Sequence, residues 1–175
     1  VMHDGAGGLL VERMLDGTVD ADGALAALID WLEADLLDGV DLAACGHRVV
    51  HGGPDHAAPA RIDVALMRDL ERLAGLAPLH QPVNLAGIRA VAAHRPTLPQ
   101  VACFDTAFHR GQPAVADHYA LPAELYARGI RRYGFHGLSY EYIARRLVEV
   151  APDLAAGRVV EAHLGSGASM CAMRD

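Results

Sequence analysis

Ala43-Ala44-Cys45-Gly46-His47-Arg48-Val49-Val50-His51, followed by Gly52-Gly53-Pro54, reads as a buried strand over 43–51 that ends in a turn. On a strand successive side chains point to opposite faces, so Arg48 and Val50 share one face and His47, Val49 and His51 the other. Upstream, residues 1–20 look irregular. Residues 21–38 repeat apolar positions at three and four, with Leu25, Leu28, Trp31 and Leu32 on one stripe, which predicts an amphipathic helix. Downstream, a second helix is expected over 63–76 with Asp63 as its cap. Ala77 to Pro82 forms a loop that two prolines stiffen. A third helix follows over 83–94 and a short buried strand over Gln100–Phe104. Residues 117–121 read as extended and Pro122–Ala127 as a helical turn. Ser139–Val150 is a helix. Residues 158–164 and 168–173 are strands joined by Gly165-Ser166-Gly167, a hairpin. Strands that alternate with helices define an α/β class.

The 175 residues suffice for one domain or for parts of two. With 52 % hydrophobic and 21 % charged residues, the chain can bury a core and is not of disordered composition. Aromatics are only 5 %, so packing must rest on aliphatic layers. A net charge of −7, with every one of the 15 basic residues an Arg, argues against a nucleic-acid surface. Arg128 to Arg132 is too short for such a footprint. Cys45, Cys103 and Cys171 are widely spaced in strand-like segments, as expected of buried free thiols in a reducing, cytoplasmic setting. No run of ~18 apolar residues marks a membrane span, and the start is not a signal peptide. The Gly-rich opening and the uncovered final hairpin suggest a chain cut at both ends.

Five places could carry chemistry. Arg48, inside an apolar strand, needs an anionic partner: a carboxylate or phosphate ligand, or a buried Asp. The glycines after it would admit a ligand or a neighbouring backbone. His80, between Leu79 and Gln81, is a ligand or a structural hydrogen-bonder. Asp105, at the C-terminal end of a strand, sits where α/β sheets form ligand sites; it could hold Mg²⁺, position a nucleophile, or cap a turn. His136 lies between Phe135 and Gly137 at a strand-to-helix turn. His163 to Ser169 contains a Gly-rich turn whose N–H groups suit an anion, although it lacks the signature of a P-loop. His47 and His51 share a face, but the ten His show no zinc-site spacing.

Taken together, GHRVVHGG (46–53), APLHQP (77–82), FDTAFH (104–109), RRYGFHGLSY (131–140) and HLGSGAS (163–169) resemble acetate and propionate kinases in order and spacing. The resemblance runs from about Cys45 to Asp175. Gln81 and Ser166 stand where that family usually has Asn. It implies a ribonuclease H-like α/β fold of the sugar kinase, Hsp70 and actin superfamily, incomplete at both ends. Residues 1–106 would be most of the N-terminal domain without its first strands, and 107–175 the start of the C-terminal nucleotide-binding domain.

The resemblance also implies roles. Arg48 would bind the acetate carboxylate, with Val50, Leu79 and Phe135 around its methyl group. His80 and His136 would contact the transferring phosphoryl group, and Asp105 and His136 would be catalytic. His163, Leu164, Gly165, Ser166 and Gly167 would cradle ATP phosphates. Mg²⁺ is the implied cofactor, with no direct metal ligand in this chain and Asp105 acting at most through a water. Partners would be acetate and ATP, or acetyl phosphate and ADP, with no nucleic acid or membrane, and a homodimer for the full-length enzyme. A non-catalytic carboxylate-binding module and a propionate kinase are the alternatives.

Overall fold

The computed structural model describes residues 2–3, 6–12, 21–32, 34 and 41–174. Its contacts fall into two compact units, Val1–Leu42 with Ala86–Thr97, and Ala43–Leu85 with Leu98–Asp175.

In the first unit, β1 (Met2–His3) pairs antiparallel with β2 (Leu9–Val11). The expected irregular start is corrected here. Strands this short carry no readable period, and Gly7 at φ +85 makes the turn toward β2. Residues 13–20 lie outside the described residues. Helix α1 spans Ala21–Trp31; the expected continuation over 35–38 also lies outside them. Its buried positions are Ile29 and Trp31, while Leu28 is 45 % exposed, so the predicted stripe is rotated. An alanine-rich helix offers little contrast between faces, and packing chooses the buried one.

The second unit is built on a sheet of β3 (Cys45–Val49), β4 (Ala60–Arg61) and β5 (Gln100–Phe104), in the order β3-β5-β4. β3 runs parallel to β5, from Cys45 opposite Gln100 to Val49 opposite Phe104, and β4 pairs antiparallel with β5. The alternation expected for β3 is present: Val49 and His51 are buried and Arg48 faces out. His47 bonds Gln100 on the neighbouring strand at 2.7 Å. The close approach at Gly52 is structural, since a Cβ there would meet the Phe104 ring and the His56 carbonyl oxygen. β4 escaped the sequence reading because two residues show no alternation.

Helix α2 (Val64–Arg72) starts where Asp63 accepts a hydrogen bond from the Leu66 N–H at 2.8 Å, and it tightens into a 3₁₀ turn over Leu73–Leu76. Leu66 and Leu70 are its buried residues. Helix α3 (Gln81–His94) begins two residues earlier than expected, because Pro82 is tolerated in a first turn. The buried Gln81 amide donates to the carbonyls of His51 and Leu70. After β5 come a 3₁₀ turn (Ala107–Gly111), α4 (Ala114–Asp117) and α5 (Ala123–Ala127). The extended segment expected over 117–121 is corrected: residues 118–121 form no strand, and Asp117 belongs to α4. That residue ends α4 buried, with its carboxylate accepting from Tyr126 and Arg110 and lying 3.8 Å from Arg131. Burial alone would raise its pKa, but the hydrogen bonds from Tyr126 and Arg110 and the charges of Arg110 and Arg131 together outweigh it and lower the carboxyl below its ordinary value.

Helix α6 (Gly137–Val150) and the short α7 (Pro152–Ala155) lead to β6 (Arg158–Leu164) and β7 (Ala168–Arg174). These two pair antiparallel, Leu164 opposite Ala168, as the sequence predicts. The three cysteines are free, as expected, but half-buried and not fully so. No described helix is long and apolar enough to cross a membrane.

Candidate active site

Parallel pairing of β3 with β5 brings Arg48 to Asp105, 57 residues later in the chain. Arg48 Nε donates to both carboxylate oxygens at 3.1 Å, and Nη2 donates to Oδ2 at 2.8 Å. Asp105 is 1 % exposed and the Arg48 side chain 62 % exposed. The carboxylate thus works as a buried anchor and the guanidinium as an accessible fork. Asp105 holds Arg48 charged, raising its pKa, chiefly through the hydrogen bonds. The buried-Asp reading of Arg48 is realised, and Nη1 makes no hydrogen bond among the described residues.

His136 precedes α6 in a left-handed conformation, φ 57, rare for a residue with a Cβ. The next residue is pressed against the end of β5, where the Gly137 N–H donates to the Asp105 carbonyl at 2.8 Å. That contact links the helix carrying His136 to the residue that anchors Arg48. His136 and His163 stack with ring centroids 4.1 Å apart. Nδ1 of His136 bonds Ser169 Oγ at 2.8 Å, and Nδ1 of His163 bonds Ser139 Oγ at 3.1 Å. Burial first, and then the neighbouring His163, push His136 below its ordinary pKa, so its imidazole is neutral near pH 7.

Two adjoining cavities gather these groups. The larger, about 960 Å³, is lined by Arg48, Val50, Leu79, His80, Asp105, Phe135 and His136 among others. The smaller, about 380 Å³, shares Arg48, Val50, His80, Asp105 and His136 and adds His163, Gly165, Ser166 and Gly167. Every candidate site residue therefore lines one or both, with one exception. Leu164 points to the other face of the β6–β7 hairpin, where it is 78 % exposed, because strand alternation turns it away from His163. Asn84 was missed, and Thr106, Tyr140 and Ser169 were named only within motifs, without roles of their own. Asn84 accepts from the Val50 N–H and Thr106 from the Gly52 N–H. Tyr140 could have been found, since it lies one helical turn after His136; the pairings of the others have no local signal.

The described residues contain no group of three or more His, Cys, Asp or Glu that could hold a metal ion. The one carboxylate lining both cavities, Asp105, already accepts from Arg48 on both oxygens. This set does not make a Mg²⁺ site by itself, since Mg²⁺ demands near-octahedral oxygen ligation.

The fold is that of solved carboxylate-kinase structures. A propionate kinase from Francisella tularensis matches with a TM-score of 0.81 and 36 % identity, over 89 % of this chain and 40 % of that one. An acetate kinase from Porphyromonas gingivalis matches at 0.77 and 35 %, over 89 % and 40 %. The chain belongs to the Acetokinase family, whose model matches residues 11–175. It is 56 % identical over 160 residues to an acetate kinase of Nitrobacter hamburgensis, covering 91 % of this chain and 39 % of that protein. It is 56 % identical over 169 residues to one of Rhizobium meliloti, covering 93 % and 42 %. The chain thus spans about two fifths of the length of these relatives.

Proposed function

We propose that this chain forms the carboxylate-binding half of an acetate kinase, which transfers a phosphoryl group between ATP and acetate to give ADP and acetyl phosphate. The observation that carries it is the anchored Arg48 fork in a cavity that His80 and His136 also line. A planar guanidinium matches a carboxylate. Val50, Leu79 and Phe135 supply the apolar wall that a methyl group needs. Loose phosphoryl-transfer transition states need donors around the equatorial oxygens, and His80 and His136 are assigned to that task. His163 and the Gly165-Ser166-Gly167 turn are assigned to ATP phosphates, with Leu164 contributing only its backbone. ATP enters such reactions with Mg²⁺; no step is assigned here to the metal, because these residues do not form its site.

A carboxylic acid of pKa roughly 4 to 5 is ionised at neutral pH and needs no general base. Asp105 is therefore assigned to positioning Arg48. In a full-length version, Asp105→Asn should lower turnover roughly 10- to 100-fold and raise the KM for acetate, since one amide oxygen replaces a charged pair of acceptors. Unchanged kinetics would remove Asp105 from the mechanism.

The reading also places a domain boundary near Thr106 and expects a cytoplasmic homodimer for the full-length enzyme. A coupled assay with acetate and MgATP tests the function. The full-length version should turn over at ordinary enzyme rates, ~1–10³ s⁻¹, and the 175-residue chain hardly at all. Turnover by the chain alone would refute the division of the site. Saturable acetate binding without turnover by the full-length version would favour a binding module. A preference for propionate would move the assignment to a propionate kinase.

A further inference from the structure

Tyr140 is fully buried, and its hydroxyl bonds Ser169 Oγ, the same atom that bonds Nδ1 of His136. No other side-chain partner is described for the Tyr140 hydroxyl. A buried phenol proton left unpaired is costly, so Tyr140 donates and Ser169 accepts. A serine hydroxyl has one proton of its own. Among the described residues, the only other atom bonded to Ser169 Oγ is Nδ1 of His136. Ser169 therefore donates to Nδ1, and in the neutral ring the proton sits on Nε2. The reverse order, from Nδ1–H through Ser169 to Tyr140, would leave the tyrosine proton with no acceptor. The Nε2 edge is the one that faces the glycine turn: a Cβ built at Gly167 would lie 3.6 Å from Cε1 and Nε2 of His136.

We propose that Tyr140 and Ser169 are positioning residues that hold His136 as the Nε2–H tautomer, so that it presents a hydrogen-bond donor, and not a lone pair, to the cavity. This rests on the reading of His136 as a phosphoryl-contacting group, because an anionic oxygen requires a donor there. The lowered pKa of His136 agrees, since the ring is then neutral and its tautomer decides what it offers. The two hydroxyls also account for how the ring keeps its direction on a left-handed backbone.

Long-range ¹H–¹⁵N spectra of the ¹⁵N-histidine-labelled 175-residue chain, near neutral pH, read the tautomer directly. His136 should show an unprotonated Nδ1 and a protonated Nε2. Ser169→Ala should give a mixture of both tautomers, and Ser169→Thr should restore the wild-type pattern. Should Ser169→Ala not fold, Tyr140→Phe serves instead, because it removes the donor that forces the order and should also mix the tautomers. A proton on Nδ1 in the wild type, or an unchanged tautomer in Ser169→Ala or its Tyr140→Phe substitute, overturns the proposal. In a full-length version, Ser169→Ala should lower kcat about tenfold with the acetate KM changed by less than about twofold. The spectra stand apart from the kinase reading: an inactive full-length wild type would sink that reading without altering the tautomer.

Discussion

Arg48→Ala should destabilise the chain by about 3 kcal/mol, while Asp105→Ala costs only about 1 kcal/mol. The asymmetry follows from exposure. Removing Arg48 leaves a carboxylate that is 1 % exposed with no partner for its charge, whereas removing Asp105 leaves a guanidinium that water already reaches. The estimate sits at the low end for uncovering a buried ion, because the solvated side of the pair gains least from its partner. The double variant should be more stable than Arg48→Ala alone, since no orphaned charge remains. Urea unfolding of the three variants measures this. If Asp105→Ala proved as costly as Arg48→Ala, the carboxylate would not be an anchor paired mainly with Arg48. In a full-length version, Arg48→Ala should also raise the acetate KM by roughly 10- to 100-fold, the worth of a charge-assisted hydrogen bond of about 1.5–3 kcal/mol.

Gly137→Ala should cost roughly 3 kcal/mol or more, at the upper end for overpacking. A Cβ at Gly137 would lie 2.3 Å from the Asp105 carbonyl oxygen and 2.9 Å from Phe108 Cβ. Neither can yield as the tip of a flexible side chain would. The methyl group must drive the start of α6 away from the end of β5, breaking the 2.8 Å hydrogen bond between them. His136 and Asp105 would then separate. In a full-length version, a displacement of about 1 Å in the site can cost on the order of 10²-fold in kcat. Gly87→Ala is the control. It lies inside α3 with nothing within 4 Å of an added Cβ, and there alanine should stabilise by about 0.5–1 kcal/mol. Thermal melts of both variants decide the matter, and a Gly137→Ala protein as stable as wild type would mean that the close approach is not obligatory.

Much of this was legible before any coordinates. β5, β6, the hairpin turn and the cap at Asp63 follow from alternation, glycine placement and a short polar side chain before an apolar run. So does the outward direction of Arg48, which period two dictates once β3 is recognised. The motifs marked the cavity-lining residues because each is short and contiguous.

What stayed hidden was every fact that depends on a second segment. Nothing in residues 43–54 says that Arg48 meets Asp105, because parallel pairing of β3 and β5 is made through a long crossover. The bond between Ser169 and His136, 33 residues apart, exists only once β7 lies beside the start of α6. β4 and the β1–β2 pair are too short to show a period, and α1 is too rich in alanine to declare its buried face. Local sequence determined which strand residues face out and marked short segments that line the cavities, since dihedral preference and side-chain alternation act over a few residues. The tertiary structure alone decided their partners: that Arg48 is anchored by a buried carboxylate, that Gly137 lies against the Asp105 carbonyl, and that Nδ1 of His136 meets Ser169. Those depend on distances between segments remote in the chain, and packing sets them.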